Sequence, residues 1–204
     1  MKSGPQKHHR TSTRLKGYDY SLAGAYFITA VTYQREMLFG EIVHHEMKLN
    51  RRGEIVQAEW FASTNIRREI RLFPEEFVVM PNHIHGIVWI LDDENASAVN
   101  LVATVRSNQI VAEGRVGATG QSPLLQDGNH PRGPARKSLS SFMAGFKSSV
   151  TKRIRDELNE TGIWQRNYHD RIIRNEQELD AIRRYIEYNP RNWAEDDENP
   201  RVGK

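Results

Sequence analysis

The feature that most constrains the fold is a pair of short, largely apolar runs separated by a Pro-Asn-His break. Glu76–Met80 and Ile84–Leu91 are rich in β-branched and other apolar residues. Runs of this length and composition are typical of buried β-strands, and the break between them predicts a hairpin or a sharp kink. Tyr26–Tyr33 is rich in aromatic and β-branched residues. We therefore expect a sheet that contains these three segments.

Three further segments show helical patterns. Residues 50–72 carry a rough apolar stripe, and apolar side chains recur at intervals of three and four between residues 139 and 158. A third helix begins near Asn175, whose spacing to Glu178 resembles a capping box, and Pro190 ends it. The stripes consist of Ile55, Val56, Trp60 and Ile66; of Leu139, Phe142, Met143, Phe146, Val150, Ile154 and Leu158; and of Leu179, Ile182 and Ile186. The order strand, helix, strands, helix, helix predicts an α+β fold with helices packed on a mainly antiparallel sheet.

The length of 204 residues suits one domain that carries an insertion. Residues 1–17 are polar and basic, which predicts a disordered tail. The domain then covers residues 18–193, with a loop insertion rich in Gly, Ser, Asn and Pro at about residues 92–137. Residues 194–204 form an acidic and polar C-terminal tail.

Composition excludes several classes of protein. The chain contains no cysteine, so it has neither disulfides nor thiolate metal sites, and we expect a reducing, cytoplasmic location. It contains no apolar run of about 18 residues, so we expect no membrane span. The net charge is only +3, but basic residues cluster in residues 1–16 and 132–155 without intervening acids. This distribution suits a polyanionic partner, and a solvated surface is the alternative.

His83 and His85 flank one hydrophobic residue in the segment MPNHIHGIV. Residues i and i+2 of a strand point to the same face, so the two imidazoles could chelate a metal ion. Two polar residues at a strand entrance, satisfied by backbone or water, are the alternative. A histidine-triad nucleotide hydrolase would need a third histidine where Ile87 stands. Other donors for a structural zinc site show no recognisable spacing; they are His44, His45, His130 and His169.

Tyr185 and Asn189 lie four residues apart, so on a helix they share a face. A tyrosine, with a pKa of about 10, is a poor nucleophile until something stabilises its phenolate. A divalent ion or the adjacent Arg183 and Arg184 could do so. Tyr185 also fits the core stripe, three residues after Ile182. Rival nucleophiles on chemical grounds are Tyr26, Tyr33, Tyr168 and Tyr188.

Several motifs, taken in order, resemble the REP-associated tyrosine transposases, which belong to the HUH (His, hydrophobic, His) single-tyrosine transposase superfamily. The resemblance covers about residues 15–91 and 138–193. The motifs that carry it are MPNHIHGIV, FKSSVTKRI and WQRNYHDRIIRNEQELDAIRRYIEYNP, together with YDYSLAGAYFITAVTYQREMLFGEI and MKLNRRGEI. Several separate motifs in the right order make this resemblance specific.

The resemblance implies a ferredoxin-like α+β fold with the histidines on a central strand and the tyrosine on a nearby helix. His83 and His85 match the metal-ligating histidines, Asn189 the third ligand, and Tyr185 the nucleophile of the YIxxNP motif. It also implies a divalent metal, Mg²⁺ or Mn²⁺, of which Mn²⁺ suits two imidazoles better. The implied partner is single-stranded DNA with hairpins (REP-like elements), cleaved and rejoined through a 5′-phosphotyrosine.

We expect DNA contacts from the basic tail, the basic helix face and the arginines around the tyrosine helix. These residues are Lys7, Arg10, Arg14, Lys147, Lys152, Arg153, Arg166, Arg171, Arg174, Arg183 and Arg184. Trp164 and Tyr168 could stack on unpaired bases, with core packing as the alternative.

Two other functions compete with the transposase. One is a binding module for hairpin nucleic acid without catalysis. The other is a metal-dependent phosphoesterase that activates water, whose activity would survive Tyr185→Phe. The sequence shows no interface signal that fixes the oligomeric state.

Overall fold

A computed structural model describes residues 18–91 and 134–202. The predicted basic tail with Lys7, Arg10 and Arg14, most of the predicted insertion, and His130 lie outside the described residues. The strands are β1 (Gly24–Val31), β2 (Gly40–Val43), β3 (Glu46–Leu49), β4 (Ile70–Arg71), β5 (Phe77–Val79), β6 (His83–Ile90) and β7 (His169–Ile173). The helices are α1 (Arg51–Ile66), α2 (Leu139–Leu158) and α3 (Glu176–Tyr188). Short 3-10 helices span Tyr33–Arg35, Pro74–Glu76 and Trp193–Glu195.

The main sheet has the order β4–β6–β1–β7, and β5 also pairs with β6. All of these pairs are antiparallel. With α1 leading from β1 to the β4–β5 edge and α2 leading from β6 to β7, this is the predicted ferredoxin-like α+β arrangement. The central strands β1 and β6 run side by side, with Thr29 opposite His85 and Val31 opposite His83. The histidine strand therefore lies in the middle of the sheet.

One face of the sheet packs against α1 and α2 around Trp60. The Trp60 ring is fully buried and stacks on Phe77, with ring centroids 4.5 Å apart. Gly86 of β6 lies directly beneath it, where an added Cβ would stand 2.6 Å from Trp60 Cζ2. The glycine that follows the histidine pair thus leaves room for the largest side chain of the core.

We expect Gly86→Ala to lower the free energy of unfolding by about 1–3 kcal/mol, the usual effect of overpacking a core. Chemical denaturation monitored by tryptophan fluorescence measures this change. Gly145→Ala is the matched control, because nothing lies within 4 Å of its added Cβ and helix propensity favours alanine. Equal stability of wild type and Gly86→Ala would show that Trp60 moves aside at little cost.

The opposite face of the sheet packs against α3. Leu179, Ile182 and Ile186 are all buried there, as the predicted stripe requires. Asn175 caps the helix, since its side chain accepts a hydrogen bond from the Glu178 N–H at 2.8 Å. This face carries α3, and with it Tyr185, to the side of the sheet on which the histidine side chains lie.

Several local predictions were wrong at their edges. The predicted helix over residues 50–72 ends at Ile66, because the chain turns there to form the edge strand β4. Ile66 is 80% exposed and does not belong to the core stripe. The strand β7, which lies between the last two helices, was not predicted. It is an edge strand in which every residue is exposed or half-buried, so its sequence lacks a strong apolar pattern.

The hairpin predicted around the Pro-Asn-His break is confirmed. β5 and β6 pair with Val79 opposite Ile84, and the Met80 N–H donates to the His83 carbonyl at 2.8 Å. This hairpin places His83 and His85 at the start of β6. Among the described residues, no helix has the length and apolar character needed to cross a membrane.

Candidate metal centre and nucleophile

The two histidines at the start of β6 face each other on the α3 side of the sheet. Their Nε2 atoms lie 2.9 Å apart. His83 is fully buried and His85 is 3% exposed. The sequence-based prediction that these side chains share a strand face is therefore confirmed by the structure.

Hydrogen bonds at the other ring nitrogens fix the orientation of both imidazoles. The amide nitrogen of Asn82 donates to the carbonyl oxygens of Arg35 and Glu198, so its Oδ1 is left to accept from His83 Nδ1 at 2.8 Å. His85 Nδ1 lies 2.8 Å from Thr29 Oγ1. His83 Nε2 of the neutral ring consequently carries a lone pair directed at His85. Partners of this kind commonly orient metal-binding histidines.

The geometry of the pair fits a shared cation. If His85 Nδ1 donates to Thr29, both Nε2 lone pairs face each other across 2.9 Å, an arrangement that is repulsive without a positive charge nearby. Two ligands at neighbouring corners of an octahedron with bonds of about 2.1 Å lie about 3 Å apart. The observed separation suits a six-coordinate divalent ion.

Two oxygen-bearing side chains complete the cluster. Asp196 is buried, and its Oδ2 lies 4.0 Å from His83 Nε2. Asn189, at the end of α3, donates from Nδ2 to the same carboxylate oxygen at 2.7 Å. Asn189 Oδ1 is buried and has no hydrogen-bond partner among the described residues. An orphaned carboxamide oxygen beside two imidazoles and a carboxylate is what a hard cation would satisfy.

The chain after α3 is folded back onto this cluster rather than leaving it. Arg35 anchors this segment. Its side chain donates to the Asp197 carbonyl at 2.8 Å and forms an ion pair with Glu198 at 3.1 Å. The Glu198 N–H donates to Asp196 Oδ1 at 2.7 Å. The Trp193 ring packs 5.9 Å from that of His83. Asp196 is therefore held in place by contacts on both sides.

Tyr185 reaches the cluster from α3. Its hydroxyl lies 3.1 Å from His85 Nε2, and its ring packs edge-on against Phe27. The residue is 46% exposed, so one side of the phenol is open to solvent. Burial, followed by the nearby charges of Asp196, Asp197 and Glu198, raises the pKa of Tyr185 to about 12. Positive charge at the cluster would counter this effect.

Burial favours the neutral form of both histidines. Burial lowers the pKa of His83 to about 4, although Asp196 acts in the opposite direction. Burial, and then the charge of His83, holds the pKa of His85 well below its usual value. Neutral imidazole is the form that ligates metals, so burial favours the state of both rings that can bind a cation.

The structure separates Tyr185 and the histidine pair from their predicted rivals. Among the described residues, the group of His, Cys, Asp and Glu side chains suited to a metal consists of His83, His85 and Asp196. His44 and His45 form the exposed turn between β2 and β3. His169 is exposed on β7, opposite Thr29 and thus across β1 from His85. The rival tyrosines lie elsewhere: Tyr26 is in the core of the other face, Tyr33 and Tyr188 are exposed, and Tyr168 packs against that core.

The predicted DNA-binding residues fall into two groups. Five of them form ion pairs or hydrogen bonds within the fold, and Lys147, expected on an exposed helix face, is half-buried against backbone carbonyls. The other four with such contacts are Lys152 with Asp156, Arg153 with Glu59 and Glu157, Arg171 with Glu178, and Arg183 with Glu76. Arg166, Arg174 and Arg184 are exposed without an ion pair to another described residue.

Sequence reasoning did not single out Asp196, Thr29 or Asn82. Asp196 lies in a run of acidic residues that is typical of a solvated tail. Asn82 precedes the first histidine of the pair, and its side chain could have been considered as an orienting partner. Thr29 comes from a distant strand, so no local spacing connects it to His85.

Comparison with known proteins supports the fold. No model of a known protein family matches the sequence. The chain is 34% identical over 189 residues to an uncharacterized protein of Haemophilus influenzae, an alignment that covers 93% of this chain and 92% of the relative. The solved structure of a REP-associated tyrosine transposase bound to a REP hairpin aligns with a TM-score of 0.53 and 16% identity, over 90% of this chain and 74% of that one.

These findings confirm, at the level of the fold, the resemblance carried by the motifs. The chain belongs to the same family as the Haemophilus influenzae protein, and its fold is that of the REP-associated tyrosine transposases.

Proposed function

We propose that this protein is a metal-dependent transposase that cleaves and rejoins single-stranded, hairpin-containing DNA through a 5′-phosphotyrosine intermediate. One observation carries the proposal. The Tyr185 hydroxyl lies 3.1 Å from His85 Nε2, which in turn lies 2.9 Å from His83 Nε2, so the candidate nucleophile and the candidate metal ligands meet although they come from different elements. The fold is shared with a transposase solved bound to a REP hairpin, which makes a hairpin the substrate to test.

The residues that would hold the metal are His83 and His85 through Nε2 and Asn189 through Oδ1, as the motifs imply. We add the carboxylate of Asp196, which is within the same cluster. Two nitrogen and two oxygen donors accept Mn²⁺ readily and Mg²⁺ less well. A divalent cation there would offset the nearby acids, favour the Tyr185 phenolate and stabilise charge on the phosphate oxygens.

The chain's own residues then define the reaction. The open side of Tyr185 admits a phosphodiester, and its phenolic proton leaves to solvent. The phenolate oxygen attacks phosphorus, a Tyr185–phosphate bond forms, and the bond from phosphorus to the 3′-oxygen breaks. The departing 3′-oxygen takes a proton from solvent. Because the phosphoester is conserved on Tyr185, a 3′-hydroxyl can attack it and rejoin strands without an external energy source.

The direct test incubates the protein with a labelled single-stranded hairpin library in Mn²⁺ or Mg²⁺ and resolves the products under denaturing conditions. We expect a labelled covalent protein–DNA species in Mn²⁺ or Mg²⁺. This species should not form when EDTA is present from the start of the incubation. Tight binding of one hairpin without any cleavage would instead support a binding module. Cleavage without a covalent species would support a phosphoesterase that activates water.

We expect Asp196→Asn to weaken Mn²⁺ binding by about 10- to 100-fold, because it removes the negative charge closest to His83 while keeping its shape. Mn²⁺ electron paramagnetic resonance titration measures free metal without DNA. Asp197→Asn is the control, since this neighbour is exposed and outside the cluster. Equal weakening by both variants would mean that only the general acidity of the segment matters.

A further inference from the structure

A second feature of the molecule, on the other face of the sheet, is an open groove of about 550 Å³ between α2 and residues 162–166. Its charged lining is positive: Lys147, Lys152 and Arg155 come from α2, and Arg166 comes from the facing segment. The hydroxyl-bearing Ser148 and Thr151 lie between them. Regular spacing along one helix face thus places several cations beside one concave surface.

These cations are poorly compensated. Lys152 and Arg155 share a single carboxylate, that of Asp156, at 2.6 and 3.4 Å. Arg166 is exposed and forms no ion pair with another described residue. Lys147 donates to backbone carbonyls. Within the described part of the chain, the positive charge of the groove therefore exceeds the negative charge paired with it.

The other side of α2 shows the opposite arrangement. There Arg51 pairs with Glu157, Arg52 with Glu160, and Arg153 with Glu59, which fastens α1 to α2. The basic run predicted from the sequence is therefore divided by the fold. Arg153 contributes to the packing of two helices, whereas Lys152 and Arg155 share one carboxylate and retain excess positive charge at the groove.

Lys147 illustrates how incompletely the positive charge of the groove is balanced. Its ammonium group donates to the carbonyl oxygens of Gln165 and Asn167 and lies 5.8 Å above the Trp164 ring. Burial alone lowers the pKa of Lys147 to about 8. A phosphate oxygen beside this group would supply the counter-charge that the fold does not.

The groove is connected to the candidate metal centre through backbone hydrogen bonds. The Gln165 N–H donates to the Val31 carbonyl at 2.9 Å, and Trp164 bridges to Thr32. Val31 is the cross-strand partner of His83. The backbone of Gln165, at the groove wall, is therefore two strand spacings of about 4.8 Å from that of His83. A short stretch of DNA backbone can span this distance.

We propose that this groove binds the phosphodiester backbone of the DNA strand that continues from the metal centre around the end of β1. This inference rests on the proposed function and adds a second contact region to it. Its role is affinity rather than chemistry, because Tyr185 lies on the opposite face of the sheet. The unpaired strand and the hairpin stem carry the same phosphodiester chemistry, and the test distinguishes them.

The test compares two variants that remove equal charge. The groove variant is Lys152→Gln/Arg155→Gln/Arg166→Gln, and the control is Arg51→Gln/Arg52→Gln/Arg153→Gln, whose cations are paired. Fluorescence anisotropy gives the affinity for a labelled hairpin with an unpaired flank at several salt concentrations. Each phosphate of a single strand that the variant no longer neutralises reduces the slope of log K against log salt by about 0.7, so we expect a reduction of about 2. The control should retain the wild-type slope.

Two further arms locate the DNA-binding region and separate it from catalysis. Reduced affinity for the flanked hairpin but not for the blunt hairpin would assign the groove to the unpaired strand, and an equal reduction for both hairpins would assign it to the stem. At saturating DNA the groove variant should still form the covalent species. Equal slopes for both variants, or absence of the covalent species at saturation, would overturn the groove proposal while leaving the proposed function standing. Absence of DNA binding by the wild-type protein would overturn both.

Discussion

Tyr185→Phe is expected to reduce formation of the covalent protein–DNA species by at least about 10³-fold, because phenylalanine has no oxygen to attack phosphorus. The loss should be confined to chemistry. Tyr185 is 46% exposed, and the substitution removes one hydrogen bond to His85. The free energy of unfolding should therefore change by only about 1 kcal/mol. Denaturing electrophoresis of a labelled hairpin after incubation with Mn²⁺ measures the covalent species.

Tyr188→Phe is the matched control for this experiment. Tyr188 lies on the same helix, is similarly exposed, and contacts Arg191 rather than the histidines. We expect its adduct yield to equal that of wild type. A covalent species that persists in Tyr185→Phe would mean that another tyrosine attacks, and cleavage that persists without a covalent species would point to water as the nucleophile.

Arg183→Ala is expected to destabilise the fold by about 3 kcal/mol. Arg183 donates to Glu76 Oε1 through two nitrogens, at 2.9 and 2.6 Å, and the other Glu76 oxygen accepts from Trp89 Nε1 at 2.6 Å. Because the Glu76 side chain is fully buried, removing Arg183 leaves a carboxylate without its counter-charge. The figure stands at the low end for such pairs, since Arg183 is 36% exposed.

Thermal unfolding measures this effect, and a decrease of about 6–12 °C in Tm is expected for a chain of this length. Arg184→Ala is the control, because the adjacent arginine is exposed and should change stability by less than about 0.5 kcal/mol. Glu76→Gln/Arg183→Ala should recover much of the stability, since glutamine can still accept from Trp89 without a charge. Equal destabilisation by Arg183→Ala and Arg184→Ala would show that the ion pair adds nothing to stability.

The pH dependence of Arg183→Ala follows from the same pair. Burial raises the pKa of Glu76, while the hydrogen bonds from Trp89 and Arg183 lower it. Without Arg183 the folded-state pKa rises further above the unfolded value. The folded state then favours the protonated acid, so the destabilisation is complete above the folded pKa and disappears as the pH falls below the unfolded one. The difference in the free energy of unfolding between Arg183→Ala and wild type should therefore become smaller as the pH is lowered.

The pair also explains how Tyr185 is positioned. Arg183 is two residues before Tyr185 on α3, and Glu76 directly precedes β5, which pairs with the histidine strand. The bond from Glu76 to Arg183 therefore ties the helix that carries the nucleophile to the hairpin that carries the metal ligands. This contact joins residues 107 positions apart, and no local spacing predicts it.

The sequence alone determined most of the helices and strands. It also determined the two parts of the candidate site, the histidine pair and the tyrosine helix. Apolar runs predicted the strands around Ile28 and Ile87, the stripe of α3 predicted its buried face, and the spacing of His83 and His85 placed both imidazoles on one side of a strand. These predictions succeeded because each depends on a repeat of two or of 3.6 residues, which the local sequence records directly.

Only the tertiary structure decided which of the remaining polar residues matter. The edge strand β7 forms because β1 offers it an open partner, since its own sequence is half exposed. Asp196 joins the cluster because Arg35 and Asn82 hold the final segment in place. The fold likewise divided one basic run, because Arg153 pairs with Glu59 of a second helix whereas Lys152 and Arg155 share one carboxylate. Burial and ion pairing depend on the sum of long-range contacts. A charged residue that appears solvated in the sequence therefore becomes a candidate ligand, or part of an ion pair between helices, only when the sheet and helices assemble.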